Sequence, residues 1–157
     1  MQELIIRRAS KEDISRIAEL LLEVQRVHSD ARPDLFTAGA RKYTDGELEE
    51  ILSDETKPVF AAELGGRIVG YAFCIISSPQ SHTLRPVRTL YIDDLCVDNN
   101  YRGHHIGTKL YNYVVSYAKS EGCYNVTLNV WADNKNAVKF YEKIGLKIQK
   151  IGMEKIL

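Results

Sequence analysis

The feature that most constrains this chain lies between Arg88 and Trp131. RTLYIDDLCV, residues 88–97, reads as a strand; DNNYRGHHIG follows as a turn; then Ile106, Leu110, Tyr113, Val114 and Tyr117 recur on one helical stripe over about 105–120. A second strand lies in YNVTLNVW, residues 124–131. Two strands joined through a helix of that length cannot form a hairpin. They must lie parallel, with a right-handed crossover that packs the helix on one face of the sheet.

The preceding residues supply antiparallel partners. ELIIRR, residues 3–8, predicts a first strand. Ser10 and Asp13 form a helix-start pattern, followed by Ile14, Ile17, Ala18, Leu21, Val24 and His28 at helical spacing, and Pro33 predicts that this helix ends before SDARPDLF, residues 29–36. Thr44 and Glu47 form a capping box for a short helix over about 45–53. PVFAAEL, Gly65-Gly66 and RIVGYAFCII predict a hairpin with a two-residue turn, and Pro79 and Pro86 bound a loop. After the crossover come a helix over about 134–144, Gly145 at the position of a helix C-terminal glycine, and the closing segment LKIQKIGMEKIL. The fold class is α/β: a mixed, mostly antiparallel sheet with helices on both faces and one parallel strand pair. No linker or repeat interrupts the 157 residues, which predicts a single domain over 1–157.

Composition narrows the function classes. With 21 basic and 21 acidic side chains there is no basic excess of the kind that marks nucleic-acid or membrane-surface binding, so neither is expected as a partner. No apolar run approaches the roughly 18–20 residues of a membrane span, and charges inside MQELIIRRASKED argue against a signal peptide. Cys74, Cys96 and Cys123 are odd in number and widely spaced, which fits reduced thiols in a cytoplasmic protein and no metal site.

The turn DNNYRGHHIG enters a helix without a proline, and no proline occurs after Pro86, so its amides are free to bind an anion at the helix N-terminus. Two phosphate motifs fail here. A Walker loop needs Gly-Lys-Ser/Thr, whereas the order is Gly107-Thr108-Lys109; a dinucleotide fingerprint needs three glycines, and only Gly103 and Gly107 are present. VDNNYRGHHIG instead resembles the acyl-CoA loop of the GNAT superfamily of N-acetyltransferases, Arg/Gln-x-x-Gly-x-Gly/Ala after a strand ending in Val. Arg102, Gly103, Ile106 and Gly107 match. The second signature of that family, N-x-x-A-x-x-F-Y-x-x-x-G-[FL], is complete as NKNAVKFYEKIGL, from Asn134 to Leu146. Two departures stand out: His105 occupies the site of the usual second glycine, and Asn99 that of a frequent proline. His105 is expected in the first turn of the helix, where a side chain is tolerated; a positive φ there would cost about 1 kcal/mol.

The resemblance implies acetyl-CoA as co-substrate, with no metal, and an amine as acceptor. It implies that Leu95, Cys96 and Val97 pair a free backbone edge with the pantetheine arm. Arg102, Gly103, His104, His105, Ile106, Gly107 and Thr108 would hold the pyrophosphate, and Asn134, Ala137 and Tyr141 would meet the cofactor from the last helix. It implies further that Tyr141 protonates the departing thiolate, although by spacing alone Ala137, Phe140, Tyr141 and Ile144 form a plain packing stripe.

Acetyl transfer to an amine of pKa about 10 also calls for a base. Asp93 and Asp94 interrupt an apolar strand, which is costly unless they face a cleft or gain partners. Regular alternation puts Asp93 on the face of Tyr91, Leu95 and Val97, with Asp94 opposite. Diamine acetyltransferases are similar in carrying an acidic pair here, which makes Asp93 the first candidate for base or amine anchor and Asp94 the second. Residues 28–43 form a long connection between helices, the region that in this family helps build the acceptor site; Tyr43, Tyr91 and Trp131 are candidate walls for it. Asp30 and Asp34 are answered by Arg32, Arg41 and Lys42, so the acceptor is not legible: a small amine, a protein N-terminus or a lysine all fit, as does a non-catalytic acyl-CoA sensor. Members of the family often form homodimers, but no seam for one is legible.

Overall fold

A computed structural model describes residues 2–157. Five strands form one sheet in the order β1-β2-β3-β4-β5: β1 Leu4–Arg8, β2 Val59–Leu64, β3 Arg67–Ser77, β4 Thr89–Val97 and β5 Asn125–Leu128. The first four pair antiparallel, and β4 and β5 pair parallel as the crossover requires. Gly65 and Gly66, both at positive φ, close the β2–β3 hairpin in the turn that matches strand twist.

The helices cover both faces. On one face α1 (Ile14–Ala31) and α2 (Asp45–Ser53) bury Ile17, Leu20, Leu21 and Leu48 against Tyr71, Phe73 and Cys96. On the other, α3 (Ile106–Ser120) buries Ile106, Leu110, Val114 and Ala118 against Phe60, Val69, Ala72 and Ile92. The helix α4 (Lys135–Lys143) follows β5; Asn134 caps it by accepting from the Ala137 amide at 3.3 Å. It ends in a Schellman turn, with the amides of Gly145 and Leu146 donating to the carbonyls of Glu142 and Tyr141.

Three sequence expectations are corrected. α1 does not stop before Ser29 but runs through Ala31, because the restriction imposed by Pro33 reaches back only to Arg32, which leaves the helical region at φ −134°. β5 stops pairing at Leu128, short of Trp131, because β4 and β5 part company there. His105 does not sit in the first helical turn. It is the N-terminal cap of α3 in the left-handed region, at φ 59° and ψ 21°, the one non-glycine among the described residues with positive φ.

Candidate active site

The fourth correction builds the site. Phe73 pairs with Asp94, and Cys74 with Ile92, so Asp93 is the extra residue of a β-bulge on β4. A bulge reverses the alternation beyond it. Leu90 and Ile92 pack toward α3 before the bulge, while Leu95 and Val97 pack toward α3 after it. Asp93 therefore does not share a face with Leu95 and Val97. Both carboxylates point to the α1–α2 face, where Tyr43 Oη donates to Asp93 Oδ2 at 2.5 Å and Tyr71 Oη donates to Asp94 Oδ2 at 2.8 Å. Both tyrosine rings pack against Phe73, Tyr43 tilted at 5.5 Å and Tyr71 edge-on at 5.0 Å.

The two acids differ in environment. Lys42 Nζ lies 3.0 Å from Asp93 Oδ2, giving that carboxylate a cation as well as the Tyr43 hydroxyl. Asp94 has no cation in contact among the described residues, and burial pushes its pKa up to about 6, against the downward pull of the Tyr71 hydroxyl. Tyr141 stands within Coulombic reach of Asp94 and Cys96; burial first, then those two groups, pushes its phenol up to about 12. Burial likewise raises the Cys96 thiol, which leaves it an inert packing group.

Among the described residues no strand pairs with the outer side of β4 beyond Ile92, so residues 93–97 present a free backbone edge in the split between β4 and β5. The split opens onto the loop Asp98–His105. Asp98, only 2% exposed, is held by Arg16 on α1 and accepts from the Asn100 amide at 2.9 Å. Arg16 also donates to the Ile68 carbonyl at 3.0 Å, so the start of the loop is bolted to both α1 and β3. After Arg102 the chain turns through Gly103 at φ 86° and His105 into α3, and the amides of residues 102–108 meet no backbone acceptor among the described residues. His104, His105 and Arg102 are exposed around this concavity. Gly107 brings α3 against α4: a Cβ there would lie 3.2 Å from the Phe140 ring. That contact places Tyr141, the next residue along α4, beside the split.

The connection between α1 and α2 bridges the split. Lys42 and Tyr43 hold Asp93 on β4, while Phe36 stacks on His28 and meets Trp131, beyond β5, edge-on at 5.3 Å. Between them lies a recess of about 280 Å³ lined by His28, Phe36, Trp131 and Asn134. Burial and Lys42 lower the His28 pKa, which keeps that ring neutral at pH 7. Tyr91 accepts from Asn129 at 3.3 Å, farther along the split. Arg32 and Arg41 are engaged by Asp34 and Asp45, so these charges cancel locally, and Asp30 stays exposed on α1.

The structure thus brings together the acidic pair, Tyr141, residues 95–97 and the loop at 102–108. Sequence reasoning missed Asp98 and Arg16, which anchor the loop, and Tyr71, which holds Asp94. The signal for Asp98 was a lone acid where an apolar strand meets a turn. For Arg16 and Tyr71 there was none, since their partners lie 82 and 23 residues away.

A split parallel pair with a main-chain anion loop at its mouth is the architecture of a known group, and comparison bears this out. Residues 11–146 match the model of the acetyltransferase (GNAT) family. An uncharacterized N-acetyltransferase of Methanocaldococcus jannaschii is 27% identical over 146 residues, 93% of this chain, which spans only 62% of that relative's length. Glucosamine 6-phosphate N-acetyltransferase of Arabidopsis thaliana is 30% identical over 115 residues, covering 73% of this chain and 68% of the relative. Among solved structures, a tetramutant of the BH1408 protein of Bacillus halodurans superposes with a TM-score of 0.92 at 29% identity, over 98% of this chain and 99% of that one. With its loop, its second signature and its sheet all in that pattern, the chain belongs to the acetyltransferase (GNAT) family.

Proposed function

We propose that this chain is an acetyl-CoA-dependent N-acetyltransferase that moves an acetyl group directly to a primary amine of a small molecule, in a ternary complex. The observation that carries the reading is the split itself: a free strand edge at 93–97, an amide-lined concavity at one end, and two carboxylates and a half-buried tyrosine along it.

The residues fit the co-substrate. Free amides at a helix start, with Gly103 leaving open space where a Cβ would stand, suit a pyrophosphate. The free edge of Leu95–Val97 suits an arm bearing amides, as a further strand would. Acetyl-CoA supplies the activated acetyl thioester when bound.

The proton chemistry falls to the chain's own groups, and the environments reverse the preference between the two acids. Asp94, with a pKa of about 6, is ionised at neutral pH yet basic enough to accept a proton from an incoming ammonium, directly or through water. Asp93, engaged by Lys42 and Tyr43, orients the acceptor-side connection and anchors the amine. Tyr141, whose phenol keeps its proton throughout the working pH range, donates it to the leaving sulfur. The acceptor enters between the aromatic recess at Phe36 and Trp131 and the acidic pair. A small amine suits this recess, and the relative from Arabidopsis thaliana is itself named for a small amino sugar phosphate.

The test is thiol release from acetyl-CoA across a panel of small amines and a matched panel of N-terminal and lysine peptides. Turnover confined to small amines supports the proposal. Turnover confined to peptides moves the acceptor class to proteins, and acetyl-CoA binding without turnover on either panel makes the chain a sensor.

A further inference from the structure

The acidic pair on β4 does not meet the acceptor as two bare charges. Lys42 approaches Asp93 twice: its Nζ lies 3.0 Å from Oδ2 and donates to the main-chain carbonyl at 3.3 Å. The same Oδ2 accepts from Tyr43, so Asp93 is answered by an ammonium and a phenol. Asp94 accepts from the Tyr71 hydroxyl and has no cation in contact among the described residues. Two carboxylates and one ammonium leave a single negative charge for the incoming molecule. A bare acidic pair would suit an acceptor with two ammonium groups, whereas this one suits an acceptor with one.

Lys42 is itself only partly answered. An ammonium has three donors. Two contacts go to Asp93, and no further partner is found among the described residues. The Lys42 side chain is 42% exposed, against 17% for Asp93, and it lines the same cleft as Asp94, Leu95 and Tyr141. The Tyr43 ring, 5.6 Å from Nζ, adds a cation–π contact that keeps the ammonium beside the pair. Other charges on the acceptor side are met elsewhere: Arg32 by Asp34 and Glu154, Arg41 by Asp45. The aromatic recess carries one charge of each sign, Asp133 and Lys135. Lys42 is therefore the cation beside the acidic pair with a donor to spare. A second ammonium on the acceptor would be set against it, and an anion would gain a charge-assisted hydrogen bond from it.

We infer that the acceptor is a zwitterion, whose ammonium meets the acidic pair while an anionic group of the same molecule, a carboxylate or a phosphate, meets Lys42 Nζ. Lys42 then determines specificity and takes no part in the proton transfers. The inference rests on the acetyl-transfer reading for the fate of the amine, but not for which amine binds.

Matched amines that differ only by the anion test it: L-lysine against cadaverine, and O-phosphoethanolamine against ethanolamine. Each is titrated calorimetrically into the full chain with and without CoA, and kcat/KM for thiol release from acetyl-CoA is measured alongside. The unaltered chain is expected to favour the anionic member of at least one pair by about tenfold or more, the worth of one hydrogen bond between charged groups. Which pair shows it separates a carboxylate from a phosphate. Lys42→Arg is expected to keep the preference, Lys42→Met to erase it and Lys42→Glu to invert it towards the amine without the anion. A merely structural role for Lys42 would instead lower both members of a pair alike. Equal binding within both pairs, a preference for the amine without the anion, no binding of any of the four, or a preference that survives Lys42→Met and Lys42→Glu would each overturn the inference. Selective binding without thiol release would overturn the acetyl-transfer reading and leave this inference standing. The comparison in the unaltered chain needs no variant, so it decides even where a variant fails to fold.

Discussion

Asp94 carries the sharpest consequence at the scale of single residues. Its pKa lies at about 6 in the folded chain against an ordinary 3.8, so between those values the folded state keeps a proton that the unfolded state has lost. Stability therefore falls as pH rises through that window, and the loss is complete above about pH 6. The Asp94→Asn variant cannot ionise, so it should gain stability at pH 7, by at most about 3 kcal/mol, while kcat falls and its acidic limb near pH 6 disappears. Thermal melts at pH 4 and 7 alongside a kcat profile check both arms; an unchanged limb in the variant would assign it to another group. His105 gives a second prediction. Its left-handed backbone costs an L side chain roughly 1–2 kcal/mol, partly offset by the greater freedom of glycine in the unfolded chain. His105→Gly should accordingly gain up to about 1 kcal/mol in denaturant unfolding, whereas a loss would mean that the imidazole contributes to the fold.

At the scale of elements, the anion loop is fastened to the rest of the fold by long-range polar contacts. The anion loop has a short 3-10 turn, an exposed outer surface and a single deep anchor, Asp98, whose charge is met by Arg16. Removing one partner from a buried pair leaves the other uncompensated, so Arg16→Met should cost about 3–5 kcal/mol. Acetyl-CoA affinity should fall with it, since α1 would no longer hold the loop; calorimetry on the folded fraction reads this, and full affinity in a destabilised variant would show the loop to be set by α3 alone. The bulge at Asp93 acts on the same scale. One extra residue in β4 turns two acids onto one face, which an unbroken strand would separate.

For the whole molecule, the sheet ends in two edge strands, β1 and β5, with the core between them. β1 to β4 bury a continuous two-sided core, to which β5 adds the partly buried Val126 and Leu128, whereas no residue of α4 is fully buried.

The order of elements, the parallel pair, the capping box at Thr44, the Gly65-Gly66 turn and the loop at 102–108 were all legible in the amino-acid sequence. Each depends on neighbours in the chain, through periodicity, capping or turn chemistry, and local sequence carries those. What only the tertiary structure decided was where β4 slips register, which face each aspartate takes, that His105 turns left-handed, and that Tyr71 and Arg16 hold Asp94 and Asp98. These depend on partners tens of residues away and on a strand's pairing register, which is set by packing between elements and leaves no period in the sequence.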